Sequence, residues 1–150
     1  TIQGKIVSDQ DHMVAPEKRN VGLVVQNKAL FPHLTVEKNI GFGIRKNQEK
    51  TKIIADLLSL FKIEHLSNKY PHEISGGEQQ RTAIARSMAP GPELLMLDEP
   101  FSALDRELKE ELYAELNHIF NERQQTIILV THDLDEAKVL SNKQINLENT

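Results

Sequence analysis

The run Leu94, Leu95, Met96, Leu97, closed by Asp98, Glu99 and Pro100, constrains this chain more than any other stretch. Four consecutive apolar residues predict a short strand buried on both faces, as in a parallel sheet. Proline, with no N–H to give a ladder, stops it. Two adjacent carboxylates then stand at the carboxyl end of a strand, where ligands bind in open α/β sheets. One can serve a hard cation such as Mg²⁺ while its neighbour takes a proton from water. A solvated acidic pair opening a turn has the same local sequence, so the pair gains chemical meaning only from its company.

Three further segments supply that company. Ser75 stands three residues before Glu78, a capping-box spacing that predicts a helix from Ser75 onward. Gly76 and Gly77 in its first turn weaken the helix by roughly 1 kcal/mol each relative to alanine. That cost makes sense where a ligand must approach the backbone, because free N–H groups, a hydroxyl and the helix dipole suit a phosphate. Residues 126–130 are a second apolar strand run with His132 just beyond it, and Asp133 and Glu136 offer another capping box. A histidine there can donate to a phosphoryl oxygen or an ordered water. Residues 21–25 form a third run that leads into Gln26, which can ligate a metal or position water. Singly, His132 and Gln26 read more readily as satisfied polar residues than as functional ones.

In order and spacing these segments resemble the nucleotide-binding subunit of an ABC transporter, from about Arg19 to about Leu147. Gln26 matches the Q-loop, residues 74–81 the signature motif, and residues 94–99 the Walker B segment. Ser102 to Asp105 match the D-loop and His132 the H-loop. The wording of residues 29–36 and 98–105 is most similar to bacterial importer ATPases for iron(III), polyamines, thiamine or sugars. Ile74 replaces the family's usual leucine, a conservative apolar exchange.

The resemblance implies an α/β fold: a partial P-loop NTPase (RecA-like) parallel-sheet core in residues 1–26 and 90–150. Residues 27–89 would be an inserted, mostly helical subdomain carrying the signature. It implies ATP and Mg²⁺ as cofactors, and ATP hydrolysis that drives solute uptake through closure of a homodimer. Asp98 would hold Mg²⁺ through water, and Glu99 would be the general base. Gln26 would reach metal and water, and His132 would steady the γ-phosphate. Ser75, Gly76, Gly77 and Glu78 would contact nucleotide held by the second ATPase subunit, and Asp105 would communicate across the dimer. Integral-membrane permease subunits would dock between Asn27 and Glu37, where Phe31, Pro32 and His33 read as exposed. A periplasmic or surface solute-binding protein would act indirectly, with this subunit peripheral on the cytoplasmic face of the membrane.

One family element is absent from the 150 residues: there is no G-x-x-x-x-G-K-S/T, and Gly4-Lys5 is followed by Ile6. That loop cradles phosphates with backbone N–H groups and a lysine. The resemblance places it upstream of Thr1, so a truncated subunit, inactive alone, is expected. Residues 144–147 read as the start of a further strand. The family also puts the His132 strand between the Walker A and Walker B strands, so residues 126–130 are expected to form an apolar sheet edge.

Composition narrows the alternatives. A chain of 150 residues suits one domain. A net charge of −4 offers no general basic footprint for nucleic acid. The absence of cysteine excludes disulfides and thiolate metal sites and fits a reducing cytoplasm. No apolar run approaches the roughly 18 residues of a spanning helix, so membrane contact should pass through a partner. A DNA-repair or chromosome-organising ATPase of the SMC type shares these motifs but inserts a long coiled coil. Here Gln26 and Ser75 are 49 residues apart without sustained heptads. A non-catalytic regulatory half-module stays open.

The remaining pattern predicts a strand in residues 1–7 and a polar loop in 9–20. Helical periodicity marks Ile53, Ile54, Leu57, Leu58 and Phe61, and again Leu108, Leu112, Leu116, Ile119 and Phe120. A helix from Thr35 is weakened by Gly41 and Gly43. Met13, Met88 and Met96 read as packing residues.

Overall fold

The structure, a computed structural model, describes residues 1–2, 4–9, 11, 13–25, 29–45, 49–122 and 124–146. Strands β1 (Val21–Val24), β2 (Leu94–Asp98) and β3 (Thr126–Val130) form one parallel sheet in the order β1-β2-β3. Parallel neighbours need long crossovers. Between β1 and β2 these are α1 (Val36–Ile40), α2 (Lys50–Leu60) and α3 (Gly76–Met88), joined through short 3₁₀ turns. Helix α4 (Arg106–Glu122) connects β2 to β3, and α5 (Leu134–Leu140) follows β3. The expected parallel α/β sheet is present. Among the described residues β3 pairs on one side only, which leaves it at the edge.

One contiguous apolar cluster joins the helices to the sheet. Val36, Ile40, Phe61, Ile63 and Ile84 meet Leu95, Leu97 and Phe101, and α4 adds Leu112, Leu116 and Phe120. Helix α2 turns Ile54, Leu57 and Leu58 inward, as the periodicity requires. Lys62 then adopts φ 53°, with Ile63 N–H donating to Leu58 O at 2.9 Å and Lys62 N–H to Ser59 O at 3.0 Å, a Schellman stop. Gly22 is needed for a close approach. A Cβ there would lie 2.7 Å from the Ser87 carbonyl oxygen and 2.8 Å from Leu95 Cδ1, so β1 rests directly on the end of α3.

Several expectations fail here. The described residues of 1–7 form no strand: Gly4, at φ 75°, folds Ile2 back onto Lys5 in an isolated bridge. Residues 144–146 are not extended into a strand either, and Leu147 lies outside the described residues. The polar loop holds a 3₁₀ turn at Pro16–Lys18, where proline opens the turn.

The β2 run is not buried on both faces. Leu95 and Leu97 point into the core, but Met96 is 37% exposed, in a row with Leu23 at 56% and Ile128 at 47%. A continuous apolar run does not reveal how many faces are covered, and no described element covers this one. Of the three methionines, Met88 is buried, whereas Met13 and Met96 are exposed. No described helix is long and apolar enough to cross a membrane.

Candidate functional site

Strand β2 delivers Asp98 and then Glu99 at φ 47°, in the left-handed region that costs a side-chain-bearing residue about 1–2 kcal/mol. Backbone and hydroxyl donors hold the turn. The Glu99 N–H donates to the Val130 carbonyl at 2.9 Å, and the Ser102 hydroxyl donates to the Glu99 carbonyl at 3.1 Å. The conformation throws the Glu99 carboxylate across the end of β3. There its Oε1 accepts the His132 N–H at 3.0 Å and lies 2.7 Å from His132 Nδ1. That hydrogen bond, with the charge behind it, raises the imidazole above its ordinary pKa. The ring is otherwise 82% exposed, so Glu99 is its principal restraint.

Asp98 is exposed, with both oxygens unengaged among the described residues. Those residues contain no cluster of three His, Cys, Asp or Glu able to cage a metal. One open carboxylate fits a Mg²⁺ held largely by water and phosphate, the usual preference of that ion. Because Val24 is opposite Leu97 in parallel register, β1 leaves the sheet at the same end. Gln26 lies outside the described residues.

A second group surrounds the start of α3. Ser75 caps it reciprocally: its hydroxyl accepts the Glu78 N–H at 3.4 Å, and Glu78 Oε2 accepts the Ser75 N–H at 2.7 Å. That backbone N–H holds the Glu78 carboxyl below the usual carboxylate range. The helix start therefore already carries a negative charge of its own. Gly76 is exposed. A Cβ on Gly77 would lie 3.3 Å from both the Ala103 carbonyl oxygen and Leu104 Cδ2. The second glycine thus serves the neighbouring turn, a reason not visible in the sequence. Asp105 ends that turn and accepts the Leu108 N–H at 3.0 Å, opening α4.

Glu136 departs from its expected role. Asp133 alone caps α5, accepting the N–H groups of Asp135 and Glu136 at 3.0 and 3.4 Å. The Glu136 carboxylate instead turns inward, 2% exposed, to three donors. These are the Tyr113 hydroxyl at 2.9 Å, the Thr131 hydroxyl at 2.6 Å and Lys109 Nζ at 3.3 Å. Burial and the Glu136 carboxylate together push the Tyr113 hydroxyl far up, so it keeps its proton and donates. Three donors outcompete the single N–H that a capping box provides. The sequence signal was Lys109 and Tyr113 four apart on α4, on the helix side that carries Leu112 and Leu116 inward.

The predicted docking stretch is built on buried Asn39. Its amide oxygen accepts the Phe31 N–H at 2.9 Å, and its nitrogen donates to the carbonyls of Phe31, Leu34 and Thr35 at 3.1, 2.9 and 3.1 Å. Phe31 is half-buried rather than exposed, because Arg86 lies 5.0 Å over its ring and Phe42 packs at 4.4 Å. Ala29, Pro32, His33 and Glu37 are exposed there, and Phe42 lies exposed beside Phe31.

Comparisons with known proteins bear on the family and the fold. The family model described as ABC transporter matches residues 1–102. The chain is 45% identical to a sulfate/thiosulfate import ATP-binding protein of Synechocystis, over 98% of this chain and 43% of that protein. It is 47% identical to a spermidine/putrescine import ATP-binding protein of Chromobacterium violaceum, over 93% of this chain and 40% of that protein. An Fe(3+) ions import ATP-binding protein of Haemophilus influenzae is 38% identical over 95% of this chain and 42% of that protein. The chain thus spans less than half the length of these curated relatives. Among solved structures, a dimeric ATP-binding cassette in a post-hydrolysis state, bound to ADP and Pi, is similar with a TM-score of 0.73 and 32% identity. That match covers 82% of this chain and 57% of the cassette.

Proposed function

The chain belongs to the ABC transporter family, and on that premise we propose that it is the part of an importer's ATP-binding subunit that carries the general base. The observation behind this reading is the Glu99 carboxylate, set beside the open Asp98 at the end of the sheet and held by His132 through two contacts at 3.0 and 2.7 Å. Glu99 takes the proton of the attacking water, and proton transfer by such a positioned group contributes about 10²–10⁴-fold. His132, which the Glu99 contact biases towards its protonated form, donates to the γ-phosphate as charge develops there. Asp98 and Gln26 would hold Mg²⁺, which would supply charge neutralisation on the phosphates.

Residues 27–89 act as the helical subdomain. Ser75, Gly76, Gly77 and Glu78 address nucleotide bound by a second ATPase subunit, and Asp105 sits at the same dimer contact. The relatives' names support import as the work done, and the dimeric cassette supports the pairing. Pro32, His33 and Phe42 form the face offered to permease subunits, which places the subunit peripherally on the membrane. Without the phosphate-cradling loop, the 150-residue chain by itself should not turn over ATP.

The test is phosphate release by the assembled subunit and by the same assembly carrying Glu99→Gln. The substitution should abolish turnover and leave nucleotide binding intact, because it removes a base and no phosphate contact. Turnover that survives it overturns the assignment.

A further inference from the structure

We infer that Glu136 is a positioning residue, which sets the His132–Glu99 contact through the hydroxyl of Thr131. Glu136 touches neither Asp98 nor Glu99, yet its carboxylate fixes both neighbours of His132. The Thr131 hydroxyl donates to Glu136 at 2.6 Å and accepts the Asp133 N–H at 3.0 Å. Asp133 is also tied to Lys109 Nζ at 3.4 Å, and the same ammonium reaches Glu136 at 3.3 Å. Residues 131 and 133 are thus clamped from below, which leaves the His132 N–H and Nδ1 pointing at Glu99. A buried ion pair is seldom the most stabilising way to fill a core, since replacement by apolar residues is often neutral or favourable. What this one does is fix the path of three residues at the sheet's ligand-binding end. Lys109 and Tyr113 come from α4, whose first turn is capped by Asp105. The clamp therefore references His132 to α4, beyond its own strand.

The inference rests on the proposed roles of Glu99 and His132, and its test separates the two. Thr131→Val keeps the shape and removes the hydroxyl; Thr131→Ser keeps the hydroxyl. Amide hydrogen exchange is followed at His132, with Ile128 and Leu116 as references for the sheet and α4. Thr131→Val should speed His132 exchange about tenfold, the effect of losing a hydrogen bond to a charged acceptor, with both references unchanged. Thr131→Ser should restore protection. In the assembled subunit, Thr131→Val should lower kcat and leave the KM for ATP in place, and Thr131→Ser should recover it. Tyr113→Phe, which removes another donor to Glu136, should speed His132 exchange in the same direction and decides the matter if Thr131→Val does not fold. Unchanged His132 exchange, equal acceleration by valine and serine, or acceleration at all three amides overturns the inference. Turnover that survives Glu99→Gln overturns the proposed reaction roles instead and leaves the exchange result standing.

Discussion

The stretch between β1 and β2 and the sheet that brackets it handle apolar residues differently. In the helical stretch Val36, Ile40, Phe61, Ile63 and Ile84 are all fully buried, closed in by α1, α2, α3 and the turns between them. In the sheet, Leu95 and Leu97 are buried, but Leu23, Met96 and Ile128 stand side by side where solvent reaches them. Short helices separated by tight stops surround their own interior with sequence-local pieces. A parallel sheet has two faces, and each needs a layer of its own. Helix α3 therefore sits among fully buried residues, and Glu99 and His132 sit at the end of the sheet with an open face.

The largest expected difference is in stability. Phe61→Ala should cost about 3–5 kcal/mol, a transfer loss plus a cavity. Ile128→Ala, on the open face, should cost less than about 1 kcal/mol. Urea unfolding of both variants checks this, and equal losses would erase the contrast between the regions. Next comes Asn39→Ala, which strips the turn at residues 31–35 of the Asn39 hydrogen bonds and should cost about 1–3 kcal/mol. The same measurement should show no such loss for Met96→Ala.

The two regions should also answer pH in opposite directions. Glu78 has a lowered carboxyl, so its cap contributes fully above the unfolded value of about 4.3 and is lost as pH falls through the folded one. His132 has a raised pKa, so its contact with Glu99 contributes fully below about 6.5 and is lost as pH rises through the folded value. Side-chain NMR titration should find His132 above 6.5 and returned towards it by Glu99→Gln. The smallest effect concerns the charge at the start of α3. Glu78→Gln retains a capping-box residue and should alter stability by only a few tenths of a kcal/mol. It should nonetheless strengthen anion binding at that helix start, measured by calorimetry with inorganic phosphate.

Local signals carried most of what was legible. The Ser75–Glu78 spacing, the α2 periodicity and the ends of β2 and β3 were all readable, because each depends on neighbours within one helical turn or one strand. The failures share a different cause. Residues 1–7 read as extended, but Gly4 at φ 75° turns the chain. The run Leu94 to Leu97 carries no record of how many layers cover it. Glu136 has cap spacing from Asp133, but two of its three donors come from α4, more than twenty residues away. The Gly77 position looked like room for a ligand and is also room for Ala103 and Leu104. The Glu99–His132 contact spans 33 residues. Both residues were recognisable, but their meeting depends on β2 and β3 being neighbours.

The Gly22 contact gives α3 a fixed end. With Ser87 pressed onto β1 where only hydrogen fits, that end of the helix acts as a fulcrum. The 13 residues of α3 make an arm of about 20 Å reaching to Ser75. A tilt of about 5° about that fulcrum would swing Ser75 by about 1.7 Å, given the 1.5 Å rise per helical residue, while Gly22 hardly moves. A displacement of that size is enough to make or break a hydrogen bond at the start of α3. The short end of the lever rests on the strand that runs into Gln26. Such a tilt would move the start of α3 while its other end stays seated on that strand.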